Sequence, residues 1–154
     1  MKVLGEQLLP LPRQAAWDLL LNTEVLARAM PGCEGLVPAG PDEYEMRMNI
    51  AMAAIQGLFS GHIRIEDKNP PASYRLVVEG SGKLGFVRGS GLLALAETPG
   101  GTRVHYSGDV QVGGLIASVG ERMLDMTTKM MIRRFFAALV READGTAEPE
   151  PETP

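Results

Sequence analysis

The sequence predicts an α+β fold: a curved antiparallel β-sheet wrapped around a long C-terminal α-helix, with two short helices after the first strand. Three observations predict it. Between residues 43 and 112, four segments alternate apolar and polar side chains with a period of two between tight turns. Residues 115–141 contain no proline and carry an apolar stripe at helical spacing. Ahead of both lie "RQAAWDLLLN" and "TEVLARAM", two short helical patterns behind a first strand. A sheet with one wet face and a single long amphipathic helix cover each other best when the sheet curls around the helix.

Taken in order, residues 2–9 form the first strand, closed by Pro10 and Pro12. Residues 13–22 form a helix with Trp17, Leu20 and Leu21 at helical spacing, and residues 23–30 a second, capped by Thr23 and stopped by Pro31. The Gly/Pro cluster at 31–41 is a connection. In 43–54, Tyr44, Met46, Met48, Ile50 and Met52 share one parity, against Glu43, Glu45, Arg47 and Asn49 on the other. In 58–67 the inward set is Phe59, Ile63 and Ile65. After the "KNPPA" turn, Tyr74, Leu76 and Val78 alternate with Arg75 and Glu79. Residues 84–97 are a glycine-rich strand whose parity the pattern leaves open. "TPGG" turns the chain into 102–112, where Val104, Tyr106, Val110 and Val112 oppose Arg103, His105, Asp109 and Gln111. In the final helix, counted at about 100° per residue, Ile116, Val119, Gly120, Met123, Thr127 and Met130 form one stripe, which Leu124, Met131, Phe135 and Ala138 widen.

The 154 residues carry a net charge of -4, but residues 142–154, "EADGTAEPEPETP", hold five acids and no base. Without them 15 bases face 14 acids, a nearly neutral body. The expected organisation is one domain over 1–141 and an acidic, proline-containing, disordered tail over 142–154. A neutral body has no basic footprint for nucleic acid. No apolar run is long enough to cross a bilayer, and Glu6 and Gln7 interrupt the N-terminal apolar stretch, so no signal peptide is read. The single cysteine excludes an internal disulfide framework, and the expected compartment is the cytoplasm.

Few residues offer chemistry. "GSGKLG" (80–85) matches GxGxxG, but a strand-like "FVRGSGLLALA" follows where a dinucleotide site needs a helix, so the glycines serve a hairpin. His62 and His105 fall on polar parities, and no pair of residues has the short spacing of a zinc site. No catalytic set, metal site or cofactor is expected. Cys33, in "AMPGCEG", lacks any neighbour that would lower its pKa and reads as a small apolar residue beside a turn.

Methionine stands out, at nine residues. Met46, Met48 and Met52 fall on the inward parity of one strand, and Met123, Met126 and Met130 on or near the stripe of the long helix. Flexible thioethers either fill gaps in a core or line a cavity for an apolar ligand. A curled sheet gripping a helix rarely closes without leaving space, which favours the cavity. The residues expected to line it are Met46, Met48, Ile50, Met52, Phe59, Ile63, Tyr74, Leu76, Val78, Phe86, Tyr106, Met123, Met126 and Met130. Arg134, near the middle of the stripe, either snorkels to solvent or meets a ligand's polar head at the cavity mouth. Tyr44, Tyr74 and Tyr106 offer further polar contacts. Arg122, Lys129 and Arg133 share a face that is either merely solvated or touches anionic headgroups or an acidic partner.

The ordered series "AAWDLLLNTEVLARAMPGCEGL", "IQGLFSGHIRIEDKNPPASYRLVVEGSGKLGFVRGSG", "GTRVHYSGDVQVGGLIASVGERML" and "FFAAL" resembles the carbon monoxide dehydrogenase G-subunit (CoxG) family. That family is a branch of the START/polyketide-cyclase-like (SRPBCC) superfamily, and the resemblance covers residues 1–140. It implies a helix-grip fold, β-α-α-β6-α, with a deep apolar cavity between the sheet and the last helix. It also implies an accessory role beside molybdenum hydroxylases of the CO dehydrogenase type, linked to membrane association and to a lipophilic ligand such as an isoprenoid quinone. In that frame Gly32 permits the turn into the first strand of the meander and Cys33 starts it. Longer members carry a hydrophobic C-terminal region that can anchor to a membrane, whereas this sequence ends in the acidic "AEPEPETP".

The reading that joins these observations is a non-enzymatic binding protein, cytoplasmic or peripheral to the inner membrane face, that holds a quinone or lipid. Two alternatives stand beside it. One is a small cyclase- or dehydratase-like enzyme using Tyr106 and Arg134 in the same cavity. The other is an adaptor whose cavity its own side chains close.

Overall fold

The structure, a computed structural model, describes residues 1–52 and 55–145. In chain order it contains β1 (Lys2–Leu9), α1 (Arg13–Leu20), α2 (Thr23–Ala29), β2 (Cys33–Gly40), β3 (Glu43–Met52), β4 (Ile55–Asn69), β5 (Ser73–Gly82), β6 (Gly85–Thr98), β7 (Gly101–Gly113), a 3-10 segment (Gly114–Val119) and α3 (Glu121–Ala143). The strands form one antiparallel sheet of order β1-β7-β6-β5-β4-β3-β2. This is the helix-grip fold: the sheet curves around α3, and α1 and α2 sit between β1 and β2 in the chain.

Local chemistry explains most of the boundaries. Proline at the N-cap, Pro12, starts α1, whose Ala16, Trp17 and Leu20 are buried at helical spacing. The cap of α2 is Asn22, one residue before the expected Thr23; its side chain accepts from the backbone N–H of Glu24 (3.0 Å) and Val25 (3.2 Å). The segment 33–40, expected to be mostly connection, is a strand paired with β3, with register shifts at Cys33/Gly35 and Pro38/Gly40. Proline and bulges are tolerated there because β2 is an edge strand. The residues between sheet and helix follow the expected parity on β3, β4, β5 and β7, and β6 turns Val87, Gly89, Gly91, Leu93 and Leu95 inward.

The helix expected over 115–141 is broken at Gly120, whose φ of 95° no other residue adopts easily. Before that point the chain is 3-10; after it, α3 continues through Ala143. The start of the segment assigned to the tail, Glu142 and Ala143, is therefore helical, and residues 146–154 lie outside the described residues. Leu124, Thr127, Phe136 and Leu139 are the buried positions of α3. Thr127 donates its hydroxyl to the carbonyl of Met123 (2.9 Å), so a polar group is accommodated at zero exposure.

Two buried clusters lie under α3. The larger, beneath its C-terminal half, joins Trp17, Leu20, Ile63, Ile65, Tyr74, Leu95, Val104, Phe136 and Leu139. The smaller, beneath its first turn, joins Met48, Phe59, Ile116 and Leu124. Met30 and Met46 touch both.

Candidate ligand-binding site

The stretch between the two clusters is built differently from either. Gly80, Gly89, Gly91 and Gly108 face α3 from the middle of β5, β6 and β7, so four inward positions carry no side chain. Around them Met46, Val78, Leu93 and Tyr106 from the sheet, and Met131 and Phe135 from α3, point inward yet stay only partly buried. At the ends, by contrast, Leu9, Val104 and Leu139 have no exposed surface at all. A solid core would bury both sets alike, because interiors pack as densely as organic crystals. A Cβ on Gly91 or Gly108 would meet the neighbouring strand's backbone at 2.9 or 2.5 Å, whereas one on Gly80 would meet only the Met46 methyl, at 3.5 Å, so the slack under the middle of α3 lies at Gly80 and among these partly buried side chains.

A recess of about 420 Å³ lies where the end of α2, β3 and α3 meet, and is lined by Arg28, Pro31, Ile50, Met52, Arg134 and Ala138, among others. Arg28 binds Glu142 through two guanidinium bonds, Nη2 to Oε1 at 2.8 Å and Nε to Oε2 at 2.9 Å. That hydrogen bonding holds the Glu142 carboxyl below its ordinary range and raises the Arg28 guanidinium. The pair ties α2 to α3 beside the recess.

Of the residues singled out from sequence, Met48, Met52, Phe59, Ile63 and Tyr74 are inward and buried. Met46, Ile50, Leu76, Val78 and Tyr106 are inward and partly buried, and Met130 is partly buried on α3, one turn after Met126. Three are misplaced. Phe86 points away from α3, its ring lies across Gly113, and the Arg88 guanidinium stacks 4.8 Å above it. Met123 and Met126 are 38% and 52% exposed on the outer side of α3. Arg134 is exposed too, not in the apolar stripe, but it reaches the recess with Ile50 and Met52. Sequence reasoning missed Leu93 and the inward glycines; the alternation of Gly89 and Gly91 was the available signal.

The polar groups do not converge. Tyr74 meets Trp17 edge-on (centroids 5.5 Å apart, 82°), and burial pushes its phenol up, so it behaves as an apolar ring. Tyr106 stacks on Phe136 at 6.1 Å. His62 and His105 are exposed on the outer face, where His105 lies 3.4 Å from Glu6. Burial likewise raises the Cys33 thiol, which makes one long contact to the Gly35 carbonyl (3.5 Å). A groove of about 860 Å³ is lined mainly by outer-face residues, Glu45, Arg47, His62, Glu79, Arg88 and Phe86 among them, and also touches Met46 and Gly80. Among the described residues, no helix is long and apolar enough to cross a membrane.

Comparison with solved structures supports the architecture. A conserved protein from Geobacillus kaustophilus is 30% identical, with a TM-score of 0.92 over 96% of this chain and 98% of its own. A START superfamily protein from Mycobacterium smegmatis shares the fold at 10% identity, with a TM-score of 0.73 over 95% of this chain and 99% of its own. A protein from Thermus thermophilus does so at 14% identity, with a TM-score of 0.71 over 96% of this chain and 100% of its own. No curated protein matches in sequence. The family described as the carbon monoxide dehydrogenase G-subunit (CoxG) matches over residues 5–144, nearly the whole described chain. On that match the chain belongs to the CoxG family.

Proposed function

We propose that this protein is a non-enzymatic accessory module that holds an apolar molecule under α3. The observation that carries the reading is the belt of inward side chains that stay only partly buried, with room beside Gly80, next to two clusters whose members are buried. An apolar chain there would lie against Met46, Val78, Leu93, Tyr106, Met131 and Phe135, and Met46 and Met131 adapt to its shape. The recess at Ile50, Met52 and Arg134 is the mouth, and the Arg134 guanidinium meets a polar head such as a quinone carbonyl. An isoprenoid quinone fits both demands, as does a fatty acid. The family supports a client of the CO dehydrogenase type, a molybdenum hydroxylase. The cytoplasm is the expected location. Contact with the inner membrane face would run through Arg122, Lys129 and Arg133, all exposed on the outer side of α3.

Native mass spectrometry of protein made in a quinone-producing host, with added menaquinone and palmitate as probes, tests the reading. A retained or rebound lipid is expected, with Arg134→Met weakening the quinone about tenfold, the loss of one charge-assisted hydrogen bond. Protein that stays empty with both probes overturns it. Chemical conversion of a bound molecule would instead revive the cyclase-like alternative.

A further inference from the structure

β1 is an edge strand, paired with β7 on one side and with no strand on the other among the described residues. The reciprocal bonds of Met1 with Val110 (Met1 N to Val110 O 2.9 Å, Val110 N to Met1 O 2.8 Å) determine which backbone groups face that open side. Hydrogen-bonded pairs recur at every second residue of an antiparallel ladder. Val3–Gly108, Gly5–Tyr106 and Gln7–Val104 are therefore the bonded pairs, and Lys2, Leu4 and Glu6 turn their N–H and C=O groups to the open edge. These residues also direct their side chains to the outer face of the sheet. There Leu4 is 79% exposed, the highest value among the large apolar side chains described.

Free donors and acceptors on an edge are a template for another strand. We infer that β1 pairs antiparallel with β1 of a second copy, about a two-fold axis at Leu4, joining the two sheets edge to edge. The side chains select this register. With Leu4 against Leu4, Lys2 stands opposite Glu6 of the second copy, and Glu6 opposite its Lys2, so a two-fold contact repeats the favourable pair. The neighbouring registers that keep the backbone bonds set Lys2 against Leu8 and Leu4 against Glu6, or Lys2 against Leu4, and both lose the charge pairs. Charges on an edge strand ordinarily discourage pairing. At this spacing they favour one arrangement of like strands. Lys2 and Glu6 already have partners within the chain, Asp109 at 3.0 Å and His105 at 3.4 Å, but side-chain exposures of 83% and 50% leave both accessible. No β1 residue lines the recess at Arg134, so the pairing is independent of ligand binding.

Sedimentation of the full chain from about 1 μM to about 1 mM tests the inference, a range that brackets a weak dimer. A reversible dimer is expected. Lys2→Glu, which sets two carboxylates against each other at both ends of the contact, weakens it about tenfold or more. Adding Glu6→Lys to Lys2→Glu restores it. In a Cys33→Ser background, Leu4→Cys forms an intermolecular disulfide on mild oxidation, since facing Cα atoms in a bonded pair lie about 5.5 Å apart. Unchanged melting temperatures show that the variants act on association and not on folding. A monomer at the highest concentration overturns the inference. So does a dimer indifferent to Lys2→Glu that does not cross-link at Leu4.

Discussion

Gly61 and Gly80 are register partners on β4 and β5, yet their surroundings differ completely. A Cβ on Gly61 would land on the carbonyl oxygen of Glu79, because the backbone of β5 comes close there. A Cβ on Gly80 would meet the Met46 methyl at 3.5 Å, an ordinary contact, and would point into the underfilled belt. Gly61→Ala should therefore destabilise the fold by about 2 kcal/mol or more, since backbone cannot step aside as a side chain can. Gly80→Ala should be neutral or stabilise it by about 0.5 kcal/mol through lost unfolded-state entropy. Urea denaturation of the two variants checks the pair; equal destabilisation would mean that the belt is filled. The sequence displays both glycines, but nothing in it separates the one that lies against backbone from the one that leaves room.

At the level of elements, period-two alternation made β3, β4, β5 and β7 legible, because one face of each is buried and the other is wet. β6 was not, since Phe86 and Leu92 on its outer face break the apolar-in rule. The misplacement of Met123 and Met126 has a geometric cause. Helical counting from Ile116 used about 100° per residue, but the chain up to Val119 is 3-10, near 120° per residue, and restarts at Gly120. The accumulated phase error rotated the stripe, so the inner line is Leu124, Thr127, Met131 and Phe135 and the methionines at 123 and 126 face out. α3 is held at its far end by the Arg28–Glu142 pair, whose pH dependence is predictable. Because the folded state depresses the Glu142 pKa, its stabilisation is complete above the ordinary carboxylate range and disappears as pH falls through the lowered folded value. Arg28 is half exposed and screened, so Glu142→Gln should cost at most about 1 kcal/mol at pH 7. Thermal melts of wild type and variant should differ at pH 7 and converge as pH falls through the lowered Glu142 value; a constant difference down the acid range would show that ionisation is not involved.

For the molecule as a whole, the underfilled belt is a departure from the packing that stability alone favours. Gly80, where a Cβ has room, forgoes buried apolar area, worth about 25 cal/mol per Å², along with the dispersion contacts that a side chain would make. A fold with two complete clusters can tolerate this between them, and the gap is then a place where stability yields to binding. The trade can be reversed by filling the gap. Gly80→Leu places a branched side chain beside Met46, whose flexible end can give way. The variant should melt no lower than wild type, because its added apolar surface packs against Met46. It should also lose most of its affinity for menaquinone or palmitate, because the same volume is no longer free. Melting curves and ligand titrations of the one variant measure both effects. A variant destabilised by about 1–3 kcal/mol, the range for overpacking a full core, would show that no room existed under α3.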